Sequence, residues 1–260
     1  MRNLVPVSVL LWVFLATPSP AQDVAIMYDA ALPTLGINDG PGFAALLVDE
    51  LGARNVTAEI VDSVGLADYM IANPEGIMLV SQGIMPGTIF QAEGEDDLIY
   101  SWLREGGIGG FAGDYPFYYW DAVANVAGGG GQQSVFGVTV TNGTTTSVSP
   151  TALGSELIPS MGDWVSNRPA GIGVLDANGF GYESYADDGS NADPIAYRTE
   201  DMKGWFINFH TSCCGTGVPP IDQMAKEYAE LISSRFPPKG QAVEPSGKVS
   251  TVWGRLKVDY

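Results

Sequence analysis

The stretch GWFINFHTSCCGTG, residues 204–217, holds the only histidine of the chain and both of its cysteines. His210, Cys213 and Cys214 could form a nucleophile with its base, a redox pair or a metal site. The H-x-x-C-C spacing lets the histidine and one thiolate share an ion. Adjacent cysteines rarely both reach one metal, and no second Cys/His cluster exists to complete a shell. In an oxidising compartment two cysteines are expected to pair. A vicinal disulfide closes a strained ring, well below the usual Cα separation of about 4.4–6.8 Å. Two free thiols or an intermolecular bond are the alternatives. His210 itself could be a base, or a strand-end histidine hydrogen-bonded to a nearby carboxylate.

A second candidate lies at DANGFGYESYAD, residues 176–187. Asp176, Asn178, Gly181 and Asp187 fall on positions 1, 3, 6 and 12 of a calcium loop. Phe180 stands at position 5, however, and Asp187 replaces the bidentate glutamate. The stretch reads either as a calcium site or as a solvated acidic loop, and no other cofactor is implied.

These residues need a scaffold. VAIMYD (24–29), TAEIVD (57–62), GIMLVSQG (76–83) and IGGFAGD (108–114) read as short strands. Between them GFAALLVDELGA and EDDLIYSWLREGG have helical apolar spacing with glycine stops, and VGLADYMIA reads as a short helix. Strands alternating with helices at this spacing predict βαβ units and a parallel sheet. Residues 127–193 break the rhythm with GGGG, the alternating SVFGVTVT (134–141) and Gly/Asp/Asn-rich turns, which predict an antiparallel, loop-rich insertion. ADPIAYR and GWFINFH then read as two strands, and PPIDQMAKEYAELISSRF as a closing helix. Residues 237–260 read as a Pro/Gly/Lys-rich flexible tail.

In a doubly wound sheet the ligand crevice lies beyond the carboxyl ends of the strands. That edge would offer Asp29, Gln82, Asp114, Tyr115 and His210. The aromatic run YPFYYW (115–120) follows directly on Asp114, so its rings either border the crevice or fill the core under the insertion.

The chain opens MRNLVPVSVLLWVFLATPSPAQD: one basic residue, an apolar run from Leu4 to Ala16, then Ser19 and Ala21 at small-residue cleavage positions. This is a secretory signal pattern, too short for the roughly 20 residues that span a bilayer. It predicts a secreted or periplasmic protein beginning at Gln22 and without a membrane span. A formal charge of −18 disfavours nucleic acid and anionic membranes as partners and would suit solubility or loose cation binding, whereas the aromatic run at the crevice edge could stack on a carbohydrate or another flat small molecule.

The order of elements resembles the class I glutamine amidotransferase-like superfamily, a flavodoxin-like fold. MYDAALPTLGINDGPGFAALLVDELG, LIYSWLREGGIGGFAGDYPFYYW and KGWFINFH carry the likeness, over residues 23–126 and 194–236. It is similar in style to trehalose-utilisation-like proteins and to domains attached to sugar-processing enzymes. The resemblance implies an α/β domain over residues 22–236, with the insertion at 127–193. It also implies a nucleophile elbow after the fourth strand, with a late histidine as its base. Here the elbow reads Phe111-Ala112-Gly113-Asp114, without Cys, Ser or Thr, and Thr211-Ser212 follows the late His210 in place of Pro-Glu. Glutamine hydrolysis by a thiolate is therefore not expected. Three functions stay open: an exported ligand-binding or accessory module, a hydrolase using Asp114 or Glu183 with His210, and a structural assembly domain.

Overall fold

The computed structural model describes residues 23–211 and 219–238. The expected signal segment, Cys213, Cys214 and the residues beyond Pro238 lie outside the described residues. The chain begins with three short βα steps and a fourth strand. The first strand, β1 (Val24–Met27), is fully buried, and α1 (Gly40–Gly52) follows with the Asp39 side chain accepting from Gly42 N at 2.9 Å. Next come β2 (Ala58–Val61) and α2 (Ser63–Ala72), the latter capped by Asp62 through Gly65 N at 2.8 Å. The buried β3 (Ile77–Val80) leads to α3 (Leu98–Glu105), which ends at Gly106 with φ +130°, and then to β4 (Ile108–Gly113). Asp and Gly at these ends satisfy or redirect the groups that a helix leaves without partners.

The insertion is more helical than the sequence suggests. A hairpin of β5 (Tyr119–Trp120) and β6 (Ala122–Val126) precedes α4 (Gly129–Phe136). Then follow β7 (Thr146–Pro150), α5 (Ala152–Leu157), β8 (Trp164–Ser166), β9 (Ala170–Gly171) and α6 (Ile172–Ala177). After these come β10 (Gly181–Ser184), β11 (Ala186–Asp187) and β12 (Asn191–Ala192). The expected strand at 134–141 does not form. Its first half completes α4, and Gly137 stops that helix at φ +77°. Its second half finds no ladder because the Gln132 side chain accepts from Val140 N at 2.7 Å and from Thr141 N at 2.8 Å. One glutamine oxygen thus replaces strand pairing for two amides. The antiparallel expectation holds further on, where a five-stranded sheet runs in the order β8-β7-β11-β12-β9.

The chain returns through β13 (Ile195–Arg198), β14 (Trp205–Thr211) and α7 (Ile221–Arg235). The main seven-stranded sheet has the order β10-β13-β14-β4-β3-β1-β2. From β14 to β2 every pair is parallel, and the β13 and β10 edge is antiparallel. Along β1, Val24 and Ile26 face α1 and α7, whereas Ala25 and Met27 face α2 and α3. Helices cover both faces, so the central strands are apolar on every residue rather than on alternate ones.

Candidate functional site

Three of the residues expected at the crevice follow the carboxyl ends of β1, β3 and β4. Asp29 and Gln82 meet, but through the backbone: Asp29 N donates to Gln82 Oε1 at 2.6 Å. The Gln82 amide nitrogen reaches the carbonyls of Asp29, Leu32 and Pro33 at 3.2–3.3 Å, and Leu35 N donates to Gln82 O at 2.8 Å. The Asp29 carboxylate accepts from Ser63 Oγ at 2.6 Å and from Ala31 N at 2.9 Å. The Ser63 hydroxyl, followed by the Ala31 amide, holds Asp29 below the ordinary aspartate range.

The segment 30–36 is therefore a strap across the strand ends. Gly83 (φ +69°) and Gly113 (φ +119°) admit it, because a Cβ on Gly83 would lie 1.8 Å from Leu35 O and one on Gly113 would lie 2.5 Å from it. Only glycine tolerates both the dihedral and the approach. Backbone packing, not an open cleft, occupies the edge beside Gln82.

Asp114 emerges beyond the strap, half-buried. Its Oδ1 accepts from Tyr115 N at 2.8 Å and from Arg168 Nε at 3.3 Å. The Arg168 guanidinium lies 4.4 Å over the Tyr115 ring, and Tyr115 stacks on Tyr118 at 5.3 Å with an interplanar angle of 24°. Burial raises the Tyr115 phenol, with the Arg168 charge opposing it. Beside these rings opens a concavity of about 120 Å³, lined by Tyr115, Tyr118, Gly128, Gly129, Thr139 and Thr141. The aromatic run divides between the two roles expected of it. Phe117 is core, edge-on to Phe90 at 5.0 Å, while Tyr115, Tyr118, Tyr119 and Trp120 keep partial exposure.

His210 is placed differently. The register of β14 against β4 shifts between Phe209 and Thr211, and His210 takes φ +50° at this bulge. The bulge turns its ring inward to 1% exposure, against the edges of Trp164 at 4.6 Å and Phe209 at 4.5 Å. The carboxylate partner of the imidazole is Glu227 of α7, through His210 Nε2 and Glu227 Oε2, and not Asp114. Glu227 also accepts from the Gln223 amide.

Next to His210 lies Asp193, wholly buried, whose Oδ2 accepts from Ser166 Oγ at 2.7 Å, Thr211 Oγ1 at 2.8 Å and Thr211 N at 2.9 Å. Desolvation raises its pKa to about 6, with the His210 charge opposing. Trp164 Nε1 donates to Asp193 O at 2.8 Å and ties the two residues together. Asp193 Oδ1 and His210 Nδ1 are buried atoms with no hydrogen-bond partner among the described residues.

Glu183 belongs to neither group. Arg235 grips it with two hydrogen bonds of 2.8 Å, which hold it below the ordinary glutamate range. The calcium loop is corrected as well, because 176–187 is not one loop. It comprises the end of α6, all of β10 and β11, and the sharp positive φ (+68°) falls at Gly179 rather than at Gly181. Asp176 accepts from Tyr182 OH at 3.0 Å, the Asn178 amide donates to Val174 O at 2.8 Å, and Asp187 accepts from Ser184 Oγ at 2.7 Å. Among the described residues, no three His, Cys, Asp or Glu side chains form a metal-holding group.

Sequence reasoning passed over Arg168, Glu227 and Asp193. Glu227 had a signal: it lies in the register of Met224, Tyr228 and Leu231, an acid on the buried stripe of α7. Arg168 had none, since a lone arginine in SNRPAG carries no pattern. A scan of protein-family models matches none of them, and a search of the curated proteins finds no match either.

Proposed function

We propose that the chain is an exported ligand-binding or accessory module of the amidotransferase-like type, and that it takes a carbohydrate-like ligand at the end of β4. The carrying observation is the half-exposed group of Asp114, Tyr115, Tyr118 and Arg168 beside a concavity. A pyranose offers a C–H face to an aromatic ring and hydroxyls to a carboxylate or guanidinium, and this cluster supplies both kinds of surface. In support of a flavodoxin-like winding, the five parallel strands run β2-β1-β3-β4-β14, which is second, first, third, fourth and fifth in chain order. Export is supported by the N-terminal pattern, and among the described residues no helix is long and apolar enough to cross a membrane.

A hydrolase built on Asp114 and His210 has less support, because Arg168 engages the first and Glu227 the second. The elbow after β4 presents Gly113-Asp114 and no nucleophile, so no glutaminase activity is expected. Screening a panel of neutral and acidic saccharides by saturation-transfer NMR tests the proposal. A binder should lose at least tenfold in affinity in Tyr118→Ala and Arg168→Ala, with the thermal midpoint nearly unchanged. A panel without any binder, or a binder indifferent to both substitutions, contradicts it.

A further inference from the structure

We propose that Asp193 is a positioning residue of the ligand cluster, and that a proton on its carboxyl group fixes the backbone of Arg168 through the Thr211 hydroxyl. The role rests on the reading of the β4 end as the binding site, and it adds acid control to that site.

Three oxygens carry the coupling. The Thr211 hydroxyl lies 2.8 Å from Asp193 Oδ2 on one side and 2.7 Å from Arg168 O on the other. Both separations are those of O–H···O hydrogen bonds, so each gap calls for a proton. A hydroxyl has one proton to give. When it goes to an ionised Asp193, the Arg168 carbonyl faces a bare hydroxyl oxygen at 2.7 Å, and the two acceptors repel. A proton on Asp193 Oδ2 completes the row: the acid donates to Thr211 Oγ1, and Thr211 Oγ1 donates to Arg168 O. The same Oδ2 still accepts from Ser166 Oγ at 2.7 Å and from Thr211 N at 2.9 Å.

The surroundings favour the neutral acid. Asp193 is wholly buried, and no Lys or Arg side chain is among its hydrogen-bond partners. A buried carboxyl group without a cation takes up a proton rather than stay charged. Its Oδ1 has no partner among the described residues, and an uncharged carbonyl is cheaper to leave so than half of a carboxylate. Trp164 and Ser166 of β8 and Ala186 of β11 bring no charge to it. His210 of β14, backed by Glu227 of α7, is the titratable neighbour whose charge opposes the proton.

What the proton holds is the base of the Arg168 arm. From that backbone the guanidinium reaches Asn167 O at 2.8 Å, Asp114 Oδ1 at 3.3 Å and the Tyr115 face at 4.4 Å. Once Asp193 ionises, the Arg168 carbonyl loses its donor and the arm loosens over Tyr115. Binding at the cluster is therefore strongest in acid, and by linkage an occupied cluster holds the Asp193 proton more tightly.

The test follows the whole labelled protein by NMR over about pH 5–8, with no saccharide present. We expect the Thr211 and Arg168 amides, the Arg168 Nε–H and the Tyr115 ring to move in one step centred at about pH 6. Asp193→Asn should abolish the step. Thr211→Val removes the hydroxyl and keeps the backbone bond to Asp193, so the step should persist at residue 211 and vanish at Arg168 and Tyr115. A parent protein whose Arg168 and Tyr115 signals do not titrate over this range overturns the proposal. So does a step at Arg168 that survives Thr211→Val, and so does one that disappears in a folded His210→Gln, which would assign it to the imidazole. If Asp193→Asn fails to fold, the parent titration and Thr211→Val decide. A missing step counts against the coupling alone, whereas a saccharide panel without a binder counts against the binding role of the cluster.

Discussion

The carboxyl ends of β4 and β14 are neighbours in one sheet, yet they hold their polar groups in opposite ways. The strands run parallel and in register, Phe111 with Asn208 and Ala112 with Phe209, so Asp114 and His210 leave the sheet at the same edge. Gly113 at φ +119° turns the chain outward, and Asp114 meets a guanidinium at the surface. The bulge at His210 turns that side chain inward, where a carboxylate, an indole and a second buried acid surround it. Proximity in the sheet therefore does not make a shared site. The single backbone angle after each strand, together with the element that covers it, leaves one residue partly buried near the surface and puts the other in the core. The wet end suits reversible binding of a polar ligand, and the dry end suits a fixed charge.

Removing one partner of the dry pair should produce the largest effect. Glu227→Ala leaves a buried imidazole without its acceptor, and breaking a buried pair in this way costs about 3–5 kcal/mol. Chemical denaturation should show that loss, with Glu227→Gln much milder. A loss in Glu227→Ala below about 1 kcal/mol would mean that the pair is not what holds this end.

Next comes the strap that keeps the two ends apart from the β1–β3 edge. Gly83→Ala meets Leu35 O and a positive φ together, so a loss of about 2–3 kcal/mol is expected, with faster amide exchange over residues 30–36. Unchanged exchange there would show that the strap does not depend on this approach.

Acid should act outside both ends. Glu183 and Asp29 are both held below their ordinary values of 4.5 and 3.8, by Arg235 and by Ser63 respectively. A depressed folded pKa contributes stability above the unfolded value, and that contribution is lost as pH falls through the folded value. Stability should thus decline below about pH 4.5, and Glu183→Gln should flatten the decline. A slope unaffected by this substitution would remove the Arg235 pair from the account.

The smallest stability effect belongs to the wet end. Tyr118 is half-buried against Tyr115 and Tyr119 but belongs to no buried pair, so Tyr118→Ala should lower stability by less than about 1 kcal/mol. A larger loss would make the tyrosine pair structural.

The βα steps were legible because apolar period, acidic caps and glycine stops agree over residues 24–113. The helix α4 was not, because GGGGQQSVF has poor helix propensity and the alternating valines of SVFGVTVT suggest a strand. Beyond the helix, the Gln132 side chain captures the amides of Val140 and Thr141 in place of a strand partner, an event with no sequence signature. At the site, the strand-end rule located Asp29, Gln82 and Asp114 at their edge, but it could not see the strap, which depends on tertiary contact at Gly83 and Gly113. The partner of His210 was legible in principle as an acid on a buried helical stripe. Arg168 reaches Asp114 across 54 residues of sequence, and only the fold reveals it.

The central claim is that the wet end of β4 receives the ligand. Amide and aromatic shift mapping of the labelled protein during titration with saccharides tests it most directly. The account predicts saturable shifts at Asp114, Tyr115, Tyr118, Gly128 and Arg168, with His210 and Glu227 undisturbed. Shifts centred on His210 or on the 176–187 segment, with Tyr115 and Tyr118 silent, would contradict it.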